Sequence, residues 1–141
     1  MATRSLVRFA KREEGVSFSE HPKKIEVQIY KHYDGYPSGH PIDLAEFLKD
    51  FKILNGIPYP EPDKVANGLG CLAAQYIAAF KMKAGDIYVE SPDTKRDWIE
   101  YITYVWGVED KDIWMSIFDI EDGCIFVGKP QELIDKYEYD D

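Results

Sequence analysis

The chain is organised around the stretch Tyr30-Lys31-His32-Tyr33-Asp34-Gly35-Tyr36-Pro37-Ser38-Gly39-His40-Pro41. It holds two of the three histidines, three tyrosines, two glycines and two prolines. Before it, apolar and polar side chains alternate over residues 24–30, which predicts a half-buried strand. After it, apolar residues recur at helical spacing over 43–54, and Asp43 with Glu46 has the pattern of a capping box. The stretch therefore predicts a turn that connects a strand to a helix.

The pair Asp34-Gly35 predicts where the strand ends. An aspartate side chain bonds to its own downstream backbone, and glycine adopts positive φ without steric cost. Pro37 fixes φ and removes a backbone donor, which makes the turn stiff. We therefore expect positive φ at Gly35 and a loss of stability when valine replaces it.

A family resemblance is carried by this same stretch. Residues 30–37 read aromatic-Lys-His-aromatic-Asp-Gly-Tyr-Pro, Leu44-Ala45-Glu46-Phe47-Leu48 follows, and a Tyr-rich segment and Gly128-Lys129-Pro130 stand near the C-terminus. In these features the chain resembles a family of small proteins found largely in bacteriophages and prophages, which more often has Trp at position 33 and Gly at position 41. The resemblance implies a phage or mobile-element origin, and it implies no activity.

Length and composition indicate the class of protein. The 141 residues, 45% hydrophobic and 30% charged, predict a single soluble domain over 1–141. Apolar runs are far shorter than the ~20 residues that span a bilayer, so we expect a cytoplasmic protein with no membrane association. Cys71 and Cys124 lie among apolar neighbours and predict buried thiols. No cofactor is expected.

The net charge of -9 is unevenly distributed along the chain. Residues 1–85 contain 12 Lys or Arg and 10 Asp or Glu, a net +2, whereas residues 86–141 contain 5 and 16, a net -11. This sign disfavours nucleic acid as a partner outside a local basic patch. Four residues could form such a patch: Arg4, Arg8, Lys11 and Arg12. Alternation favours the other interpretation, in which Arg4 and Arg8 lie on the solvated face of a first strand.

The periodicity predicts the order β-β-α-α-β-β-β-β-α. Strands are expected at 3–10 and 24–32, helices at 43–54 and 63–83, a four-stranded meander at 86–90, 99–106, 113–120 and 124–127, and a last helix from Pro130. This order predicts an α+β domain with a predominantly antiparallel sheet and two to three helices packed mainly on one face. Residues 57–62, rich in proline, predict a rigid linker between the first two helices.

Gly68 and Gly70 are unusual inside the predicted second helix. They indicate either close backbone approach or a late helix start near Leu69. As a phosphate loop the pattern is weak, because no Lys-Ser/Thr follows it and no strand is predicted directly before it.

The candidate binding residues are His32, Asp34, Tyr36 and His40. His32, Asp34 and His40 could ligate zinc, but their spacing matches no ligand rule, and hydrogen bonding within the turn is the favoured interpretation. We expect Tyr36 or His40 beside a concavity formed by the first two helices, with the imidazoles free to reach a ligand. A second candidate surface is the aromatic face of 99–106 and 113–120, if no other element covers it.

Three functions follow from these observations, in decreasing order of support. The first is a small intracellular protein-interaction module without catalysis. The second is a small metal-dependent hydrolase that uses His32, Asp34 and His40. The third is an acidic mimic of nucleic acid.

Overall fold

The computed structural model of the chain describes residues 2–57, 59–60, 64–109 and 112–139 and has the predicted α+β architecture. Its elements are β1 (Ser5–Lys11), β2 (Val27–Lys31), α1 (His40–Leu48), β3 (Lys52–Leu54), β4 (Val65–Asn67), α2 (Gly68–Phe80), β5 (Ile87–Glu90), β6 (Tyr101–Val108), β7 (Asp112–Asp119), β8 (Gly123–Gly128) and α3 (Pro130–Tyr137). The proline-rich linker at 57–62 lies partly outside the described residues, so its rigidity stays a prediction.

The main sheet has six strands in the order β5-β2-β1-β6-β7-β8. Neighbouring strands are antiparallel except β1 and β6, which are parallel. The predicted meander is therefore wrong at its first strand, because β5 pairs with β2 at the far edge and not with β6. Strand β1 takes the place beside β6, where residues 5–7 and 9–10 are buried. Alternation identifies strands, but it does not identify their partners.

Both predicted long helices are shorter than expected. The first begins at His40 and ends at Leu48, with Gly39 as N-cap and Pro41 in its first turn. The second begins at Gly68, as the late-start interpretation proposed. The residues removed from these helices form β3 and β4, which pair as a small parallel sheet. Residues 65–67 thus form their backbone hydrogen bonds with β3, so these groups do not need a helix to be satisfied.

All three helices lie on one face of the sheet. Their buried side chains share one apolar cluster with residues of the central strands, including Leu44, Leu72, Leu133, Phe9 and Met115. Burial of these apolar side chains is the main stabilising contribution on this face.

The opposite face is covered by the loop of residues 12–26. Phe18 stacks on Trp114, with ring centroids 4.9 Å apart, and meets Trp106 edge-on at 5.4 Å. His21 stacks on Phe118 at 4.1 Å, and its Nδ1 lies 2.6 Å from the hydroxyl of Tyr104. The aromatic face of β6 and β7 is therefore covered by this loop, and within the described residues the cluster on this face contains no helical residue.

A lysine side chain bonds to one carbonyl group of each edge strand of the sheet. Lys81 Nζ donates to the carbonyl of Ile87 in β5 at 3.0 Å, and Lys136 Nζ donates to that of Ile125 in β8 at 3.1 Å. Lysine at an edge opposes pairing with another chain. Among the described residues, no helix combines the length and apolar character needed to cross a membrane.

Candidate functional site

His40 is a buried structural residue of the turn. It is 5% exposed, its amide donates to the carbonyl of Asp34 at 2.7 Å, and its Nε2 lies 2.7 Å from the hydroxyl of Tyr76. Burial, and then the nearby charge of Lys31, lowers the pKa of His40 to about 3. The expectation of a ligand-accessible imidazole at position 40 was wrong, because this ring anchors α1 to α2.

The other three candidates lie at the surface of the turn. His32 is half-buried, with Nδ1 2.7 Å from the hydroxyl of Tyr30. Tyr36 is exposed and donates to Asp34 Oδ1 at 3.3 Å. The charge of Asp34 raises the pKa of Tyr36. The described residues contain no group of three His, Cys, Asp or Glu side chains that could hold a metal ion, so His32, Asp34 and His40 do not form the ligand set considered as an alternative.

The turn requires glycine at position 35 for a reason the sequence did not indicate. Positive φ falls on Asp34, at +60°, and not on Gly35. A Cβ at position 35 would lie 2.5 Å from Ser5 Cβ and 2.8 Å from the carbonyl oxygen of Thr3. Close approach to β1 therefore excludes a side chain there.

An ion pair between buried Lys31 and half-buried Asp86 ties the turn to the segment before β5. Lys31 is 6% exposed, and its Nζ lies 2.7 Å from each carboxylate oxygen of Asp86 and 2.8 Å from the carbonyl of Tyr33. Burial raises the pKa of Asp86, but hydrogen bonds from Lys31 and from the Tyr33 amide outweigh it, and the pKa is lowered. The carboxylate of Asp86 is therefore charged and already neutralised by Lys31.

Beside this ion pair lies a cavity of about 600 Å³, which we call the basic cavity. It lies between the start of β1, the end of β2 and the first residues of β5. Its lining residues are Arg4, Tyr30, His32, Tyr33, Lys83, Ala84, Gly85, Asp86, Tyr88 and Arg96. Cavities of this size hold small ligands or the side chains of a partner protein.

Arg96 is held in a fixed position at the cavity. Its Nε donates to Glu90 Oε2 at 2.5 Å, and its guanidinium lies 4.0 Å from the ring centre of Tyr30. Glu90 is itself held by Gln28, whose Nε2 donates to Oε1 at 3.1 Å. Of the three guanidinium nitrogens of Arg96, only Nε has a hydrogen-bond partner within the described part of the chain. The terminal nitrogens of this rigid fork therefore remain available for a carboxylate or phosphate.

Two further cations line the same cavity. In the described part of the chain, no carboxylate pairs with the side chain of Arg4 or Lys83. Asp86 is neutralised by Lys31 and Glu90 is paired with Arg96, so the unpaired charges of Arg4 and Lys83 give the basic cavity a positive potential. The cavity can therefore hold an anionic group against tyrosine rings.

Sequence reasoning located part of this site. It singled out His32, which lines the cavity together with Tyr33 of the same turn. It grouped Arg4 with Arg8, but Arg8 instead donates to Gln28 at 2.8 Å and Tyr104 at 3.0 Å beneath the loop. Lys83 and Arg96 were missed, because they come from loops that carry no recognisable motif.

A second cavity, of about 490 Å³, lies at the start of α2. Lys11, Arg12, Asn67 and Gly68 are among its lining residues. Strand β4 ends directly before this glycine pair, so the sequence argument that no strand precedes it was wrong.

Comparison of the chain with protein-family models, with curated proteins and with solved structures found no match.

Proposed function

We propose that this chain is a non-catalytic interaction module that binds an acidic segment of a partner protein in the basic cavity. The supporting observation is the convergence of Arg4, Lys83 and Arg96 on one cavity of a chain whose net charge is -9. A local positive potential on an acidic molecule attracts carboxylates to that place and repels them elsewhere. The net charge also opposes a nucleic-acid partner.

The lining of the cavity supports a protein partner. Tyr33 and Tyr88 are exposed at its rim, and tyrosine and arginine are enriched at the centres of protein interfaces. Lys81 and Lys136 oppose strand addition at the two sheet edges, so the partner segment is recognised through side chains.

The histidines support binding without catalysis. His32 and His40 are each hydrogen-bonded to a tyrosine hydroxyl, and His40 is buried outside the cavity lining. The free thiols of Cys71 and Cys124 support a cytoplasmic location. The signature of residues 30–37 supports a phage or mobile-element setting for the module.

The test is titration of a fluorescently labelled, acetylated tetraglutamate peptide by anisotropy, with tetralysine as the control peptide. We expect the tetraglutamate to bind, to weaken as salt rises, and to bind more tightly than tetralysine. Lys83→Gln should weaken it by about two- to fivefold, since an exposed ion pair contributes up to ~1 kcal/mol.

The matched control is Lys23→Gln, which removes one exposed charge outside the cavity. It should leave the affinity nearly unchanged. The proposal is wrong if the two lysine variants lose affinity equally, or if tetraglutamate shows no binding at about 1 mM and low salt.

A further inference from the structure

A separate concavity of about 550 Å³ adjoins the basic cavity. It is lined by Ala2, Thr3, Arg4, Trp98, Ile99 and Glu100. Arg4 lines both concavities, so they lie side by side. We call the second concavity the Trp98 subsite.

Trp98 is held at the surface in an uncommon conformation. Its side chain is 80% exposed, and its backbone has φ of +67°. Positive φ is unfavourable for a bulky residue and persists only where the surrounding structure imposes it. Here the neighbouring residues are fixed, because Glu100 donates its amide to the carbonyl of Arg4 at 2.9 Å, and Arg96 pairs with Glu90.

The chemistry of the two concavities is complementary. The basic cavity has two cations without a carboxylate partner, Arg4 and Lys83, and favours an anion, whereas the Trp98 subsite is lined by an exposed indole ring and by Glu100. The charges of Arg4 and Glu100 offset each other in this subsite, so its lining has no net charge and the exposed indole ring favours an apolar group. Tryptophan is among the residue types most enriched at the hot spots of protein interfaces.

We infer that the Trp98 subsite binds an apolar side chain of the same partner segment whose carboxylate occupies the basic cavity. This inference rests on the proposed function. The recognised motif is then an acidic residue with an apolar neighbour, and Arg4 contacts the segment between these two groups. A purely acidic segment would occupy only the basic cavity.

The test compares acetylated tetraglutamate with the same peptide extended by phenylalanine or by alanine, at either end. One phenylalanine peptide should bind at least fivefold more tightly than its alanine counterpart. Trp98→Asn should remove this gain and leave the affinity for tetraglutamate unchanged. Asparagine is chosen because it tolerates positive φ, so the loop keeps its conformation while the ring is lost.

Tyr59→Ala is the matched control, since it removes a fully exposed aromatic ring that lines neither concavity. It should keep the gain from phenylalanine. Equal affinity for the phenylalanine and alanine peptides, with tetraglutamate still bound, overturns the subsite alone. A Trp98→Asn variant that loses tetraglutamate and phenylalanine peptides equally also overturns it. Failure of all peptides to bind overturns the proposed function as well.

Discussion

The two faces of the six-stranded sheet are covered by different kinds of structure. Three helices close one face with periodic apolar side chains. The loop of residues 12–26 covers the other face with stacked rings. On that face the strands themselves carry a row of polar contacts, in which Gln28 bonds to Arg8 and Glu90. The basic cavity opens at the end of this second face, where Tyr30, Tyr88 and Arg96 lie. The larger apolar cluster lies on the helical face, where we expect most of the stability to arise, and the candidate binding chemistry lies on the loop face.

Each face contains a histidine that is hydrogen-bonded to a buried tyrosine, and comparing one such pair from each face sharpens the contrast. His40 contacts the hydroxyl of Tyr76 on the helical face, and His21 contacts that of Tyr104 beneath the loop. Burial lowers the pKa of both histidines, and the pKa of the deeply buried His40 falls to about 3. The exposed His21 is also influenced by Arg8.

The largest effect is expected from a cavity in the helical face. Leu72→Ala removes a fully buried side chain of α2 and should lower the free energy of unfolding by about 2 to 5 kcal/mol. Urea denaturation followed by circular dichroism measures this loss. A loss below about 1 kcal/mol would contradict the assignment of stability to this face.

The pH dependence tests the two histidines. In the folded chain the pKa of His40 lies below its ordinary value of 6.5. Between pH 6.5 and pH 3 the unfolded chain therefore binds more protons at this residue than the folded chain does. Its stabilising contribution is therefore complete above pH 6.5 and is lost towards pH 3. This loss is about 2 to 3 kcal/mol between pH 6.5 and 4.5, at ~1.4 kcal/mol per unit.

The measurement is urea denaturation at both pH values for the unmodified chain and for His40→Gln, because carboxylates contribute to both and cancel in the difference. His21→Gln should reduce the pH dependence by less. If both variants reduced the pH dependence of stability equally, His40 and His21 would not differ between the two faces as described.

The turn between β2 and α1 should be destabilised by a single added methyl group. Gly35→Ala should lower stability by about 1 to 3 kcal/mol, because the new Cβ would meet Ser5 and the Thr3 carbonyl. Gly70→Ala is the control, since its Cβ meets nothing within 4 Å and alanine favours the helix by ~1 kcal/mol. Thermal melts should therefore shift in opposite directions, and a shift in the same direction would count against this account of the turn.

The smallest effect is expected from the loop. Phe18→Ala should cost about 1 kcal/mol, because the ring is half-buried and its main contact is the stack on Trp114. Quenching of tryptophan fluorescence by acrylamide should rise as the loop exposes that ring. A loss as large as that of Leu72→Ala would mean that the two faces contribute equally.

The sequence predicted local structure better than long-range pairing. Alternation identified β1, β2 and β6 to β8, because successive side chains of a strand point to opposite faces of the sheet and this two-residue period is contained in a short stretch of sequence. The position of β5 depends on pairing with β2 some 60 residues away in sequence, which no local pattern records. Pairing between β3 and β4 overrode helical periodicity at the two helix ends for the same reason.

Of the candidate site, only the residues that are neighbours in sequence could be predicted. The turn is contiguous in sequence, so His32 and Tyr33 were identifiable. Arg4, Lys83 and Arg96 converge only in the folded chain. The burial of His40 did carry a signal, because it precedes Leu44 and Leu48 by one and two helical turns and so shares their apolar face.

The position of β1 between β2 and β6 has a consequence for biosynthesis. Arg8 of β1 lies opposite Tyr104 of β6, 96 residues later in the chain. While β6 is still inside the ribosome, the emerged part of the chain therefore contains β1 with one of its two edges unpaired. Pairings this distant form slowly, because the intervening chain must be ordered first. We expect the ribosome-bound N-terminal two-thirds to stay open, and the sheet to close only once β6 to β8 have left the exit tunnel.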